Sequence, residues 1–202
     1  IEDLAFSELC FNSLFTYAFD LRPHLYKTLE KNGYQLKTHL KNEVKIDGEL
    51  KDVLIHEKWN LITIRNANID DTKLLFIWSN DPLTRSQSYS NEAISFETHT
   101  KWFSSKIKSA DSTIFILEHK NTPCGVVRFE QNDDHSIIGI SISPDFRGKK
   151  LASPMLNIAC AKFELTYTKP IYAYIKTTNI ASIKSFQRAK FDYNKDIEMH
   201  GS

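Results

Sequence analysis

The sequence predicts an α/β (α+β) fold, a mixed but mostly antiparallel sheet flanked by helices, preceded by a partial copy of the same arrangement. Three observations point there. From residue 60 onward strand and helix signals follow the order β α α β β β α β α β. Three of those strand signals crowd between Thr113 and Ser143 with only turn formers between them, so an antiparallel meander is the natural connection. Residues 1–36 also lie without gaps on residues 158–193 at an offset of 157. Ile1 meets Ile158, Phe6 meets Phe163, Tyr17 meets Tyr174, Lys27 meets Lys184, and aromatic Tyr34 meets aromatic Phe191.

Leu61 to Arg65 is a short β-rich run. Ile69 to Trp78 is helical, with Ile69, Leu74, Leu75, Ile77 and Trp78 at mostly helical spacing and Asp70 and Asp71 in its first turn. Asn80-Asp81-Pro82 stops it, because the residue before a proline is pushed out of the α region. Ser95 fits an N-cap for a second helix, on which His99, Trp102, Phe103 and Ile107 share a face. The meander strands are Thr113–Glu118, Gly125–Glu130 and Ser136–Ser143. In the third, Ile138, Ile140 and Ile142 alternate with Gly139, Ser141 and Ser143, giving one branched and one small face. The small face either receives a closely packed helix or leaves room for a ligand. Leu151–Leu165 is an amphipathic helix that tolerates Pro154 in its first turn. Ile171–Lys176 is a strand, Asn179–Arg188 a helix, and Phe191–His200 at most one short strand or hairpin.

The 41% hydrophobic and 25% charged content can fill a core in one or two domains. The repeat places the boundary near residue 59. Residues 1–59 read as the back half of one module (helix end, strand, helix, long hairpin turning at Asp47-Gly48) and residues 60–202 as a second, nearly complete one. The alternative is an unrelated α+β appendage. Strands within 34–58 are expected to complete the second sheet, either within one chain or between two copies in a homodimer.

Twenty-six Lys and Arg against 25 Asp and Glu leave a net charge of +1, no footprint for nucleic acid or an anionic membrane, so a small or internally neutral partner is expected. Cys10, Cys124 and Cys160 are odd in number and form no CxxC pair. That argues against a disulfide framework and for a reducing, cytoplasmic compartment. No apolar run reaches the roughly 18 to 20 residues of a membrane span, and no leader opens the chain. The first residue is Ile1 rather than Met, so the chain is expected to begin inside a longer gene product.

The chemistry centres on Ser143-Pro144-Asp145-Phe146-Arg147-Gly148-Lys149-Lys150-Leu151-Ala152. A strand feeding a short turn and then a helix aims backbone N–H groups and the positive end of the helix dipole at one point. Arg147, Lys149 and Lys150 add charge there, which suits a phosphate or pyrophosphate. Neither GxxxxGK[ST] nor GxGxxG is present.

This segment, from Ile140, resembles the acetyl-coenzyme A signature of the GCN5-related N-acetyltransferases (GNAT), in which a proline turn precedes Arg-Gly-x-Gly-x-Gly/Ala. Asn179-Ile180-Ala181-Ser182 to Phe186, then Phe191, resembles the same family's later helix, so the resemblance spans residues 60–202 and implies the acyl-CoA N-acyltransferase fold. Leu29 to Tyr34 resembles the end of that helix, which implies that residues 1–59 lack a donor loop and are non-catalytic. By the resemblance, acetyl-CoA is the cosubstrate and no metal is needed. Ile140 and Ile142 would offer backbone groups to the pantetheine arm, Arg147, Gly148, Lys149, Lys150, Leu151 and Ala152 would wrap the pyrophosphate, Asn179 would hydrogen-bond the pantetheine from the neighbouring helix, and Phe186 would also contact the cofactor. Three residues depart from the pattern. Lys150 and Lys190 stand where the family has glycines, and Phe186 stands where many relatives carry a tyrosine thought to protonate the leaving thiolate.

Acetyl transfer needs a neutral amine in line with the thioester carbonyl, and alignment alone can supply roughly 7 to 11 kcal/mol. Proton handling contributes about 3 to 5 kcal/mol, so the departures bear more on the acid assignment than on the activity. Glu130 and His99 are the candidate bases; a solvated strand-end Glu and a packing His are the plain alternatives.

Trp78 to Ser88 and Ile94 to Phe103 resemble the family's subgroup acting on nucleotide-linked amino sugars, that of the pseudaminic acid pathway being nearest. Asn80, Arg85, Ser88 and Trp102 would then contact the acceptor: aromatic faces take the sugar ring and Arg the phosphate. Trp78, Trp102 and Phe103 could equally be core anchors. A protein N-terminal or polyamine acetyltransferase and a catalytically silent acyl-CoA-binding module are the competing readings.

Overall fold

The computed structural model describes residues 2, 4–8, 11, 13–19, 23–59 and 61–198. The expectations for Ile1, Cys10 and His200 lie outside the described residues. The chain divides into two units, Ile1–Asn60 and Leu61–Ser202.

The first unit holds β1 (Ser13–Phe19), α1 (Pro23–Lys31), β2 (Gln35–Ile46) and β3 (Glu49–Trp59). They form an antiparallel sheet in the order β1-β3-β2. Asp47 and Gly48 turn the hairpin, both at positive φ, as a two-residue connection matched to strand twist requires. The hairpin pairs with β1 in this sheet.

The second unit contains β4 (Ile62–Asn66), a 3₁₀ turn at Ile69–Asp71 leading into α2 (Thr72–Ser79), α3 (Pro82–Gln87), α4 (Phe96–Lys106), β5 (Ser112–His119), β6 (Thr122–Gln131), β7 (Ser136–Ile142), a 3₁₀ turn at Pro144–Phe146, α5 (Ala152–Glu164), β8 (Ile171–Tyr172) and α6 (Ile180–Arg188). Its sheet runs β4-β5-β6-β7-β8 in spatial order, antiparallel except for the parallel β7–β8 pair.

Alternation along the strands divides the apolar residues between two cores. On one face Phe115, Leu117, Val127, Phe129 and Ile138 pack with Met155, Leu156, Ala159 and Phe163 of α5 and Phe186 of α6. On the other, Ile114 and Ile116 pack with Leu75 and Trp78 of α2 and Phe103 of α4. Covered on both faces, β5 reads as a continuous apolar run, Ile114 to Leu117.

Three details depart from the sequence reading. Asp81-Pro82 ends α2 but also starts α3: the Asp81 carboxylate accepts the Thr84 amide at 3.0 Å, with Pro82 in the first helical position. The strand expected over 171–176 pairs only at Ser136↔Ile171 and Ile137↔Tyr172, because beyond those residues the segment diverges from β7. Residues 191–198 carry no regular secondary structure.

The offset of 157 reappears in the helix ends. Residues 23–31 (α1) map onto 180–188 (α6). After α1, the Tyr34 amide donates to the Leu29 carbonyl at 3.0 Å and Gly33 has φ +83°; after α6, the Phe191 amide donates to Phe186 at 3.0 Å and Lys190 has φ +65°. Both are left-handed caps closed by the same bond, a geometry for which glycine is the default.

The Phe129 and Phe163 rings stack at 4.0 Å and are fully buried, locking β6 to α5. Phe129→Ala is expected to destabilise the second unit by about 3 to 5 kcal/mol, read as a lower urea midpoint by tryptophan fluorescence. An unchanged midpoint would mean that α5 is not held by this stack.

Candidate active site

β7 continues for five residues after its pairing with β8 ends. From Ile138 to Ile142 its β8-facing edge has no strand neighbour among the described residues, so the backbone groups on that edge are open to a ligand. Ile140 and Ile142 lie on this free edge.

The turn after β7 continues the same arrangement. The amides of Gly148, Lys149, Lys150, Leu151, Ala152 and Ser153 find no backbone acceptor among the described residues, and α5 has no side-chain cap. These six successive donors stand at the positive end of a 13-residue helix, a setting, here termed the cradle, that favours an anion. Gly148 and Lys150 both have positive φ, +74° and +58°. Lys149 places its ammonium 4.6 Å from the centre of the Phe146 ring rather than into the cradle. Arg147 does not point there either. Its guanidinium binds the Asp81 carboxylate and donates to the Thr84 hydroxyl at 2.9 Å, and this hydrogen bond holds the Asp81 carboxyl below the usual carboxylate range. Its side chain therefore tethers the loop to the start of α3. Asn179 caps α6 through its side-chain oxygen Oδ1, which accepts the Ser182 amide at 3.1 Å, and its side-chain nitrogen makes no hydrogen bond among the described residues. Phe186 is a core residue, buried edge-to-face against Phe191.

The opposite face of β7 borders a cavity of about 810 Å³. Gly139 and Ser141, the small face of the strand, form part of its wall, with Trp78, Arg85, Ser88 and Trp102 across from them. The strand therefore does leave room. Trp78 and Phe103 are buried core anchors, while Trp102 is only partly buried.

The other candidates are distributed as follows. Asn80 closes the loop ahead of α4, donating to the Ile94 carbonyl at 3.1 Å and accepting the Ile94 amide at 2.8 Å, and it is not part of the cavity wall. Glu130 is also outside the wall, ion-paired with Lys106 at 3.2 Å. His99 does border the cavity, but it is 2% exposed, wedged among Phe76, Trp102 and Phe103, with no hydrogen-bond partner for Nε2. Burial lowers its pKa from the ordinary 6.5, partly countered by a hydrogen bond to the Thr72 backbone. Two charged wall residues were not anticipated. Arg128 lies on β6, and Glu92 is the carboxylate in this wall. The register that faces Arg128 with Gly139 was the available signal for the first.

A family model described as an acetyltransferase (GNAT) domain matches residues 62–192. The chain belongs to the GNAT acetyltransferase family. No protein of curated function matches it. A domain from Methanocaldococcus jannaschii is 28% identical, with a TM-score of 0.59, covering 66% of this chain and 90% of that one. Spermidine N-acetyltransferase from Vibrio cholerae in complex with CoA and spermine is 16% identical at a TM-score of 0.62, covering 67% and 83%. An aminoglycoside acetyltransferase in complex with coenzyme A is 15% identical at 0.56, covering 66% and 85%. The last two establish the fold alone.

Two outcomes follow from this geometry. Because the folded pKa of His99 lies below its unfolded value, the unfolded chain binds the proton first. Stability is then full above about pH 6.5 and is lost as pH falls through the folded pKa. His99→Leu is expected to flatten that acid limb, measured as urea midpoints from pH 7.5 to 4.5; an identical slope in both proteins would remove His99 as its source. At Lys150 the left-handed backbone costs about 1 to 2 kcal/mol, offset by the greater unfolded freedom of glycine at about 0.4 to 1 kcal/mol. Lys150→Gly is expected to raise stability by about 0.5 to 1 kcal/mol in the same measurement, and a loss would show that the lysine side chain holds the loop.

Proposed function

We propose that this GNAT protein transfers the acetyl group of acetyl-CoA to the primary amine of a nucleotide-linked amino sugar, directly, with donor and acceptor bound together. One observation carries the reading: an unpaired strand edge and six free amides on one side of β7 adjoin an 810 Å³ cavity on its other face. The cradle suits the pyrophosphate of the donor, and the open edge at Ile140 and Ile142 suits the amides of its pantetheine arm. Gly148 to Ser153 contribute through backbone N–H groups, with Lys149 and Lys150 as added charge.

In the transfer a nitrogen–carbon bond forms, the carbon–sulfur bond breaks, the amine gives up a proton and the thiolate accepts one. Positioning supplies most of the rate. Glu92 is the carboxylate in the cavity wall and is assigned to accept the amine proton, directly or through water. His99, buried and kept neutral, shapes the wall.

The acceptor class follows from the lining. Trp102 suits the apolar face of a sugar, hydroxyls of Ser88 and Ser141 suit its polar edge, and Arg85 suits a phosphate. A polyamine would face two guanidinium groups, Arg85 and Arg128, against one carboxylate. We read residues 1–59 as the back half of a related module without a donor loop, supported by the helix-end geometry that repeats at the offset of 157.

Acetyl-CoA turnover across a panel of nucleotide amino sugars, with spermidine alongside, tests this. At least one nucleotide sugar is expected to be acetylated with kcat/KM about a hundredfold above spermidine, and a Lys149→Glu/Lys150→Glu variant is expected to show KM for acetyl-CoA raised roughly tenfold, on the order of one charged contact. Faster turnover of spermidine would overturn the acceptor assignment, and acetyl-CoA binding without product on any amine would overturn the enzyme.

A further inference from the structure

Arg128 leaves β6 directly opposite Gly139 on β7. A Cβ at position 139 would sit 3.2 Å from Arg128 Nε and 3.5 Å from its Cγ, so the glycine opens the lane in which the arginine lies. At its far end the guanidinium stands 5.8 Å from the centre of the Trp102 ring. It makes no hydrogen bond or ion pair among the described residues. Of the other guanidinium groups of this unit, Arg65 is held by Asp71 and Glu118, Arg147 by Asp81 and Arg85 in part by the Ser90 carbonyl, while Arg188 stands exposed on α6, outside the cavity wall. The charges facing the same cavity are Arg85, whose Nε is buried without a partner, and Glu92.

We propose that Arg128 is the specificity-determining residue of the acceptor cavity, gripping a phosphoryl group of the acceptor through its planar fork while Trp102 holds it in place. The proposal rests on the reading of this cavity as the acceptor site. A guanidinium with all its donors unclaimed, laid along a lane cleared by a glycine and braced on an aromatic face, is preorganised for an anion that can accept two parallel hydrogen bonds. Phosphate and diphosphate do so; a polyamine is repelled. Arg85, on the same cavity, supplies the second positive charge that a diphosphate asks for. The acceptor class is thereby narrowed to amines carried on a phosphate ester.

The test separates the anion site from the donor cradle by saturating the protein with coenzyme A, then titrating uridine diphosphate and inorganic pyrophosphate calorimetrically. Wild type is expected to bind both. Arg128→Ala is expected to bind them at least tenfold more weakly and Arg128→Lys several-fold more weakly, because the ammonium keeps the charge but loses the fork. Gly139→Ala, which displaces the arginine without removing it, is expected to fall between them, and coenzyme A affinity is expected to be the same in all four proteins. In turnover, Arg128→Ala is expected to raise KM for a phosphorylated amino sugar at least tenfold, leaving its kcat and the KM of the dephosphorylated counterpart within about threefold. Equal anion affinity in wild type and Arg128→Ala, no binding by wild type, or a matching loss of coenzyme A affinity would each overturn the proposal. Anion binding through Arg128 without acetyl transfer to any amine would overturn the enzymatic reading and leave this site standing.

Discussion

The early parting of β7 from β8 is the constraint on which the site depends. A sheet hides backbone donors and acceptors by pairing them, and here the pairing ends after two residues of β8 while β7 runs on. The exposed edge leads directly into a turn whose amides are also unclaimed. Unpaired backbone groups next to a core are costly unless water or a ligand satisfies them. Keeping a continuous row of them beside a helix N-terminus makes sense for a protein that binds an extended, amide-bearing, anionic molecule there. Nothing in the packing of the two cores demands the row.

In the proposed reading the same strand also separates donor from acceptor. Ile138, Ile140 and Ile142 turn toward α5 and α6, where bulk is needed, and Gly139 and Ser141 turn toward the cavity, where bulk would fill it. Two-residue alternation thus gives one strand a structural face, a chemical face and a hydrogen-bonding edge. Substituting a large residue at Gly139 would do more than narrow the cavity; it would push on Arg128, the side chain that gives the wall its positive charge.

The larger features were legible because they are local or periodic. The meander, the Ser95 cap, the amphipathic α5 and the Pro144–Ala152 turn all announce themselves within a few residues. What escaped depends on features the sequence conceals. Asp81-Pro82 reads as a stop for the helix before it and serves also as a cap for the helix after it. The apolar pattern over Ile171 to Lys176 is real, since Ala173 and Ile175 do pack on the core, but packing without a partner strand makes no ladder. Glu130 and Glu92 are indistinguishable as glutamates. Only the fold sends one to Lys106 and the other to the cavity wall. Asn80, a natural sugar ligand by composition, uses its amide to close its own loop.

The two lysines that replace family glycines show how differently one departure can be absorbed. At Lys190 the left-handed backbone is fixed from within, by the capping bond from Phe191 to Phe186, as its counterpart Gly33 is fixed by the bond from Tyr34 to Leu29. The conformation there belongs to the helix end. At Lys150 no backbone bond holds the turn. Its shape is set at its two ends, by Arg147 on Asp81 and by the first bond of α5, from Met155 to Leu151 at 3.0 Å. Asp81 is also the cap of α3, the helix that brings Thr84 and Arg85 to the cavity. A single carboxylate thereby ties the turn after β7 to the helix that lines the cavity, and in the proposed reading it would hold donor and acceptor sides in one alignment.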